Sequence, residues 1–236
     1  EASGICGDDT EYKQGHIRVY ENVMAMFDAE PTSGCTVIEQ GLPVGFTDHS
    51  TGSIEEWHWD FGDGNTSMMQ NPIHYYMEEG SYTVTLTVRG PCGEDTMVMP
   101  EYITVYEPPF ADFSNFPSGA CDSATINFYN VSTGTITDYH WDFGDGTTSD
   151  QENPVHTFSV GTFTVSLTVS GPCGEDTYTR QDLITVFESP VADFAGEPTT
   201  WCTPMEVSFM DLSTGDIDYW YWDFGDGHTS MEQNPT

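Results

Sequence analysis

Apolar and polar residues alternate along short stretches of this chain, with a period of two. Between positions 163 and 169, Phe163, Val165, Leu167 and Val169 fall on one side and Thr164, Ser166 and Thr168 on the other. That is the pattern of a strand with one buried face. The stretch 125–131 repeats it with Ile126 and Phe128 inward, and 138–143 aligns Tyr139, Trp141 and Phe143. Shorter runs at 111–114, 147–149 and 155–158, with a longer one at 178–187, bring the set to seven strands separated by Gly, Pro and Asp. No segment carries a helical period. The pattern predicts an all-β fold, an immunoglobulin-like seven-stranded antiparallel β-sandwich.

The same pattern recurs along the chain. Trp-Asp-Phe-Gly-Asp-Gly occupies 59–64, 141–146 and 222–227, which marks a tandem repeat of small domains. Upstream of each copy the aromatics keep to one face: Trp57 and Trp59, Tyr139 and Trp141, Trp220 and Trp222. The two glycines and the aspartate that follow suit a tight reversal needing positive φ. Residues 1–21 match the last strands of a copy, since His16-Ile17-Arg18-Val19-Tyr20-Glu21 aligns with Tyr102-Ile103-Thr104-Val105-Tyr106-Glu107. The expected domains are therefore 1–21 (the end of a preceding repeat), 22–107, 108–188, and 189–236 (the first part of a further repeat). The copies are joined by Glu107-Pro108-Pro109 and Glu188-Ser189-Pro190, whose prolines stiffen the junctions.

Charge narrows the class of partner. Among 236 residues, 39 are acidic and 4 basic, a formal net charge of −35, which disfavours nucleic acid and anionic membranes. Cations are the natural counterparts, and self-repulsion on this scale suits a saline or divalent-rich medium outside the cell. No apolar run is long enough to span a bilayer, so no direct membrane insertion is expected in this segment.

Three further motifs accompany the hexapeptide. They are Asn71-Pro72-Ile73-His74-Tyr75-Tyr76, Gly80-Ser81-Tyr82-Thr83-Val84-Thr85-Leu86-Thr87-Val88 and Ile103-Thr104-Val105, with counterparts at 153–158, 161–169 and 184–186. Together they resemble the PKD (polycystic kidney disease) domain over almost the whole chain. The resemblance implies sandwiches arranged end to end as an extracellular spacer or adhesion module, of the kind found in large microbial surface proteins and beside secreted hydrolases. The cysteine pair in every repeat, the extreme acidity and four extra residues between Cys35 and Phe46 depart from the pattern.

Cys6, Cys35, Cys92, Cys121, Cys173 and Cys202 fall at a regular spacing without the close Cys or His neighbours that zinc requires, so disulfides are expected throughout. Cys92 and Cys173 lie in the turn before the last strand, and Cys35, Cys121 and Cys202 precede the second strand. Stacking of domains end to end predicts Cys35–Cys173 across a junction. The in-domain pairs Cys35–Cys92 and Cys121–Cys173 are the alternative.

Calcium is the one candidate cofactor, with Asp63, Asp145, Asp226, Glu94, Asp95, Glu175 and Asp176 as candidate ligands because hard cations favour clustered carboxylates. Against that, Asp60, Asp142, Asp223 and the hexapeptide's second aspartates suit turns for conformational reasons alone. His74 and His156, at equivalent places, read as structural histidines. Asn65-Thr66-Ser67 and Asn130-Val131-Ser132 are glycosylation sequons, and Tyr102, Tyr106 and Trp201 are expected outward as an association surface. Nothing supplies a nucleophile with its base. The expected function is a non-enzymatic extracellular stalk or filament segment that self-associates or binds surface proteins or glycans. The alternative is an accessory array of a secreted hydrolase.

Overall fold

A computed structural model describes residues 2–9, 15, 17–36, 40–200 and 202–236. The four-residue excess after Cys35 falls largely on 37–39, outside the described residues, as does Trp201. All regular elements among the described residues are strands. Ahead of the first complete copy, β1 (Ala2–Gly4) and β2 (Gly7–Asp9) form an antiparallel hairpin.

The first complete copy contains β3 (Phe27–Glu30), β4 (Ser33–Cys35), β5 (Leu42–Asp48), β6 (Glu56–Asp60), β7 (Thr66–Ser67), β8 (Ile73–Tyr76), β9 (Gly80–Gly90) and β10 (Gly93–Tyr106). The second repeats them as β11 (Phe113–Phe116), β12 (Gly119–Cys121), β13 (Ser123–Asn130), β14 (Asp138–Asp142), β15 (Thr148–Ser149), β16 (Val155–Ser159), β17 (Gly161–Gly171) and β18 (Gly174–Phe187). The third has β19 (Phe194–Glu197) paired with β20 (Ser208–Asp211), and β21 (Trp222–Asp223) paired with β22 (Thr229–Ser230).

Each complete copy is a sandwich of a three-stranded and a five-stranded sheet. The strand orders are β3-β5-β8 against β4-β10-β9-β6-β7, and β11-β13-β16 against β12-β18-β17-β14-β15. The inward positions read from the sequence form the core: Val165, Leu167, Val169, Ile126 and Trp141 are fully buried, and Phe128 and Phe143 nearly so. Phe128 lies 5.4 Å from both Trp141 and Phe143, ring to ring, so edge and tilted aromatic contacts tie the sheets together.

Two features depart from the sequence expectation. Each complete copy has eight strands rather than seven, because the first strand is split: Pro31 and Pro117, which have no N–H to give to a ladder, follow directly on β3 and β11. The chain then joins the other sheet as β4 or β12, which runs parallel to the last strand, with Cys35 opposite Tyr106 and Cys121 opposite Phe187. These three-residue strands carry no apolar alternation, which is why the sequence pattern passed over them.

The last strands also start earlier than expected, at Gly93 and Gly174, and each contains a bulge. There Glu101 and Asp182 sit at φ 48° and 50°, and each N–H donates to the Oγ1 of a threonine on the neighbouring strand, Thr83 at 3.2 Å and Thr164 at 3.1 Å.

In the third copy Phe194, Phe209, Trp222 and Phe224 cluster as their counterparts do. Phe194 is 61% exposed, whereas its counterpart Phe113 is 3% exposed beneath β17 and β18.

Candidate functional site

The hexapeptide turn holds the densest group of candidate residues. Strand β6 ends at Asp60, and the chain reverses with Gly62 at φ 83° and Gly64 at φ 90°. A Cβ on Gly62 would stand 2.4 Å from the Thr83 carbonyl oxygen, so glycine serves both the conformation and the close approach to β9.

The aspartates close the turn. Asp60 Oδ1 accepts the Gly62 N–H at 2.9 Å, and Asp63 Oδ1 accepts the Asn65 N–H at 3.0 Å. Asp63 Oδ2 accepts from the Asn65 amide at 3.0 Å and pairs with His74 Nε2 at 2.7 Å. The His74 ring lies flat on Phe61, with centroids 4.1 Å apart and planes 3° from parallel, and the Tyr76 hydroxyl donates to the Phe61 carbonyl at 3.0 Å. Asp63 and His74 side chains are only 14% and 13% exposed.

The second copy reproduces the arrangement. Asp145 pairs with His156 at 2.7 Å, and His156 stacks on Phe143 at 4.1 Å. In the third copy Asp226 accepts the His228 N–H at 2.9 Å and meets that side chain at 3.2 Å. His74 and His156 are thus built into the sandwich.

Burial works to raise the Asp63 and Asp145 carboxyls, but hydrogen bonds outweigh it, so both lie below the ordinary aspartate value. The donors are Asn65 and His74 for Asp63, and Thr147 and His156 for Asp145. Such carboxylates are committed acceptors.

Two of the other calcium candidates are backbone acceptors. Asp95 accepts the Ala25 N–H at 2.8 Å and Asp176 the Ala111 N–H at 2.7 Å. Each fastens the chain entering its copy to the start of the last strand. Glu94 pairs with Arg89 Nε at 2.7 Å, both 60% exposed, and Glu175 stands opposite Ser170 in the β17–β18 ladder. Among the described residues no three His, Cys, Asp or Glu side chains are grouped to hold a metal ion.

Sequence reasoning missed a second buttress. Asp48 Oδ2 accepts from Trp57 Nε1 at 2.7 Å and from Gln70 at 2.9 Å, while its Oδ1 accepts the Ser50 N–H at 2.9 Å. Asp211 does the same with Trp220 at 2.8 Å, Gln233 at 3.2 Å and Ser213 at 3.0 Å. The side-chain and backbone bonds from Ser213, with those from Gln233 and Trp220, hold the Asp211 carboxyl at about 2. The second copy carries Asn130 and Tyr139 at these places. The signal was available: an aspartate accompanies tryptophan in two copies, and asparagine accompanies tyrosine in the other.

Sequon Asn65 spends its amide on Asp63, and sequon Asn130 accepts the Ser132 N–H at 3.0 Å. Tyr102 is not outward. Its hydroxyl accepts the Ala29 N–H at 3.1 Å, and its ring meets Phe27 at 5.9 Å. Tyr106 is half-buried.

The cysteines divide. Cys35 and Cys173 are oxidised, while Cys6, Cys92, Cys121 and Cys202 are exposed free thiols. The in-domain alternative, which needs Cys92 and Cys121 oxidised, does not describe this structure, nor does oxidation of all six.

The PKD domain family profile matches residues 22–105, 106–186 and 187–236. Collagenase ColA of Bacillus cereus is 40% identical over 66 residues, 28% of this chain and 7% of that protein. The pre-pro-metalloprotease PrtV of Vibrio cholerae is 37% identical over 76 residues, 31% of this chain and 8% of that protein. The chain thus spans less than a tenth of these curated relatives. Among solved structures, the titin I-band fragment I67–I69 superposes with a TM-score of 0.53 at 12% identity, covering 91% of this chain and 82% of that one, a likeness of fold alone. The repeated hexapeptide, the paired sheets and the profile match over all three copies agree, and the chain belongs to the PKD domain family.

Proposed function

We propose that this chain is a non-catalytic, tension-bearing spacer of an extracellular protein, a stalk or filament segment that extends a surface or adhesive structure. The observation that carries the reading is where the chain enters and leaves each sandwich. In the first copy it enters beside Gly90, whose Cβ position faces Ser53 and Val23. It leaves at Tyr106, one residue beyond the pairing of Val105 with Gly80. Gly80 and Gly90 are the two ends of β9, so one copy advances the chain by the length of that strand, about 35 Å at the usual rise. The second copy leaves in the same way, with Val186 opposite Gly161. Prolines at both linkers and the net charge of −35 favour extension over collapse.

PKD and immunoglobulin-like domains are typically non-catalytic modules, and here the hexapeptide carboxylates and histidines are occupied with turn and stacking contacts. A second reading has specific support: ColA and PrtV carry similar segments, so the same spacer would hold a secreted hydrolase domain away from its neighbours. Self-association, or binding of surface proteins or glycans, belongs to the first reading and would need cations to offset the charge.

Small-angle scattering in reductant tests the spacer. Deleting residues 106–186 should shorten the maximum dimension by about 35 Å, and an unchanged dimension would contradict it. Hydrolysis of gelatin, casein or a polysaccharide by the purified chain would overturn the non-catalytic reading.

A further inference from the structure

Domains joined by short linkers reorient against each other by default, so the polar partners of a linker decide how free its joint is. The linker from the second copy into the third is held from both sides. Asp122, between β12 and β13, belongs to the second copy. Its N–H donates to the Phe187 carbonyl at 2.7 Å. Its carboxylate accepts the Ser189 N–H on Oδ1 at 2.8 Å and the Ser189 hydroxyl on Oδ2 at 2.7 Å. Asp216 belongs to the third copy. Its Oδ2 accepts the Glu188 N–H at 2.7 Å, and its own N–H donates to the Glu188 carbonyl at 3.0 Å. Three successive linker residues are thus bonded to two aspartates, one from each copy, and the bonds to the carboxylates are of the charge-assisted kind.

The first copy shows what is particular to this joint. Thr36 is the counterpart of Asp122, and Pro108 that of Ser189. The Thr36 N–H donates to the Tyr106 carbonyl at 2.9 Å, as that of Asp122 does to Phe187, but the Thr36 hydroxyl turns back on the same carbonyl at 3.4 Å. Pro108 has no N–H to offer. A carboxylate therefore stands where the linker presents an N–H and a hydroxyl, and a threonine where it presents neither. Asp122 also sits at φ 64°, a left-handed conformation that aspartate tolerates and a β-branched residue resists. The Ser189 hydroxyl and N–H hold its carboxyl below the ordinary aspartate value, so it is an ionised acceptor at neutral pH. Asp216, by contrast, repeats a clamp seen elsewhere: its counterpart Ser53 accepts the Glu21 N–H on Oγ at 3.0 Å.

We propose that Asp122 and Ser189 form a lock that fixes the third copy to the second as one rigid body. Asp216 seats the linker on the third copy, and Asp122 seats the same linker on the second. A bend at this junction must break one set of bonds or the other. Gly215 brings the third copy close against the linker as well, since a Cβ there would stand 2.5 Å from the Ser189 carbonyl oxygen. In a spacer the lock makes two copies a single stiff segment. It goes beyond the spacer reading, because the advance of the chain along a copy requires no fixed angle between copies.

The test is a set of residual dipolar couplings from the full chain in a dilute liquid-crystal medium. In the parent, one alignment tensor should fit the couplings of residues 109–186 and 187–236 together. Asp122→Gly keeps the positive φ and deletes the carboxylate, and Ser189→Pro writes the Pro-Pro of the first linker into the second. Each variant should split the fit into two tensors, with the smaller magnitude in the third copy, while both copies keep the amide dispersion of the parent. Two tensors of unequal magnitude in the parent, or one tensor surviving in either variant, would overturn the lock. The spacer reading would then still stand or fall on its own scattering result.

Discussion

Asp63 and His74 show at the scale of single residues how a carboxylate in a repeated turn becomes structural. Its two oxygens serve the turn backbone, Asn65 and a histidine stacked on Phe61. His74→Ala should cost about 1–2 kcal/mol through the lost bond and stacking, read as a lower melting temperature at pH 7. His58→Ala, at an exposed position, should change little. Because the Asp63 and Asp145 pKa values are lowered on folding, their contribution is present above the unfolded value of about 3.9 and lost as pH falls through the folded value. A thermal series from pH 7 to 2 should therefore show stability falling below about pH 4, and Asp63→Asn should flatten part of that fall. A second residue-scale expectation concerns Glu101, held at φ 48°. A left-handed conformation costs a non-glycine residue about 1–2 kcal/mol, offset in part by glycine's greater entropy loss, so Glu101→Gly should raise the melting temperature. A fall would mean that the Glu101 side chain contributes more than its backbone costs.

At the scale of elements, the parallel pairing of β4 with β10 and of β12 with β18 is the feature most exposed to tension. Pulling on the entering and leaving ends of a copy loads those strands along their length, so their hydrogen bonds resist together. Gly119 lies within β12, and a Cβ there would stand 2.3 Å from the Thr185 carbonyl oxygen. Gly119→Ala should destabilise the second copy by about 1–3 kcal/mol in a denaturant titration. Gly45→Ala, where the nearest atom is 3.7 Å away, is the matched control and should be near neutral. This pairing was not legible in the sequence, since Gly119-Ala120-Cys121 has no apolar face to read. The long strands were, because Val165, Leu167 and Val169 alternate with Thr164, Ser166 and Thr168. The turn aspartates were legible as turn formers, but their bonds to His74 and His156 join residues separated by another strand, and only folding brings them together. Tyr102 misled because its ring packs while its hydroxyl meets a backbone N–H, which a reading of polarity alone assigns to the surface.

At the scale of the whole molecule, 39 acidic residues against 4 basic make ionic conditions part of stability. With Asp63, Asp145, Asp95 and Asp176 engaged by protein groups, screening is the expected mode of action of salts. Sodium, magnesium and calcium chlorides at matched ionic strength should raise the melting temperature alike, and a distinct excess for calcium would point to a coordinated site. The central claim, that each copy is a tension-bearing spacer, is tested most directly by pulling the chain end to end in reductant with a single-molecule force probe. The account expects a separate unfolding event for each complete copy. Each should release roughly 250 Å of chain, the extended length of a copy like residues 22–105 less the roughly 35 Å it spans when folded, and Gly119→Ala should lower the force of one event only. Copies that extend without separate events, or a Gly119→Ala chain indistinguishable from the parent, would contradict it.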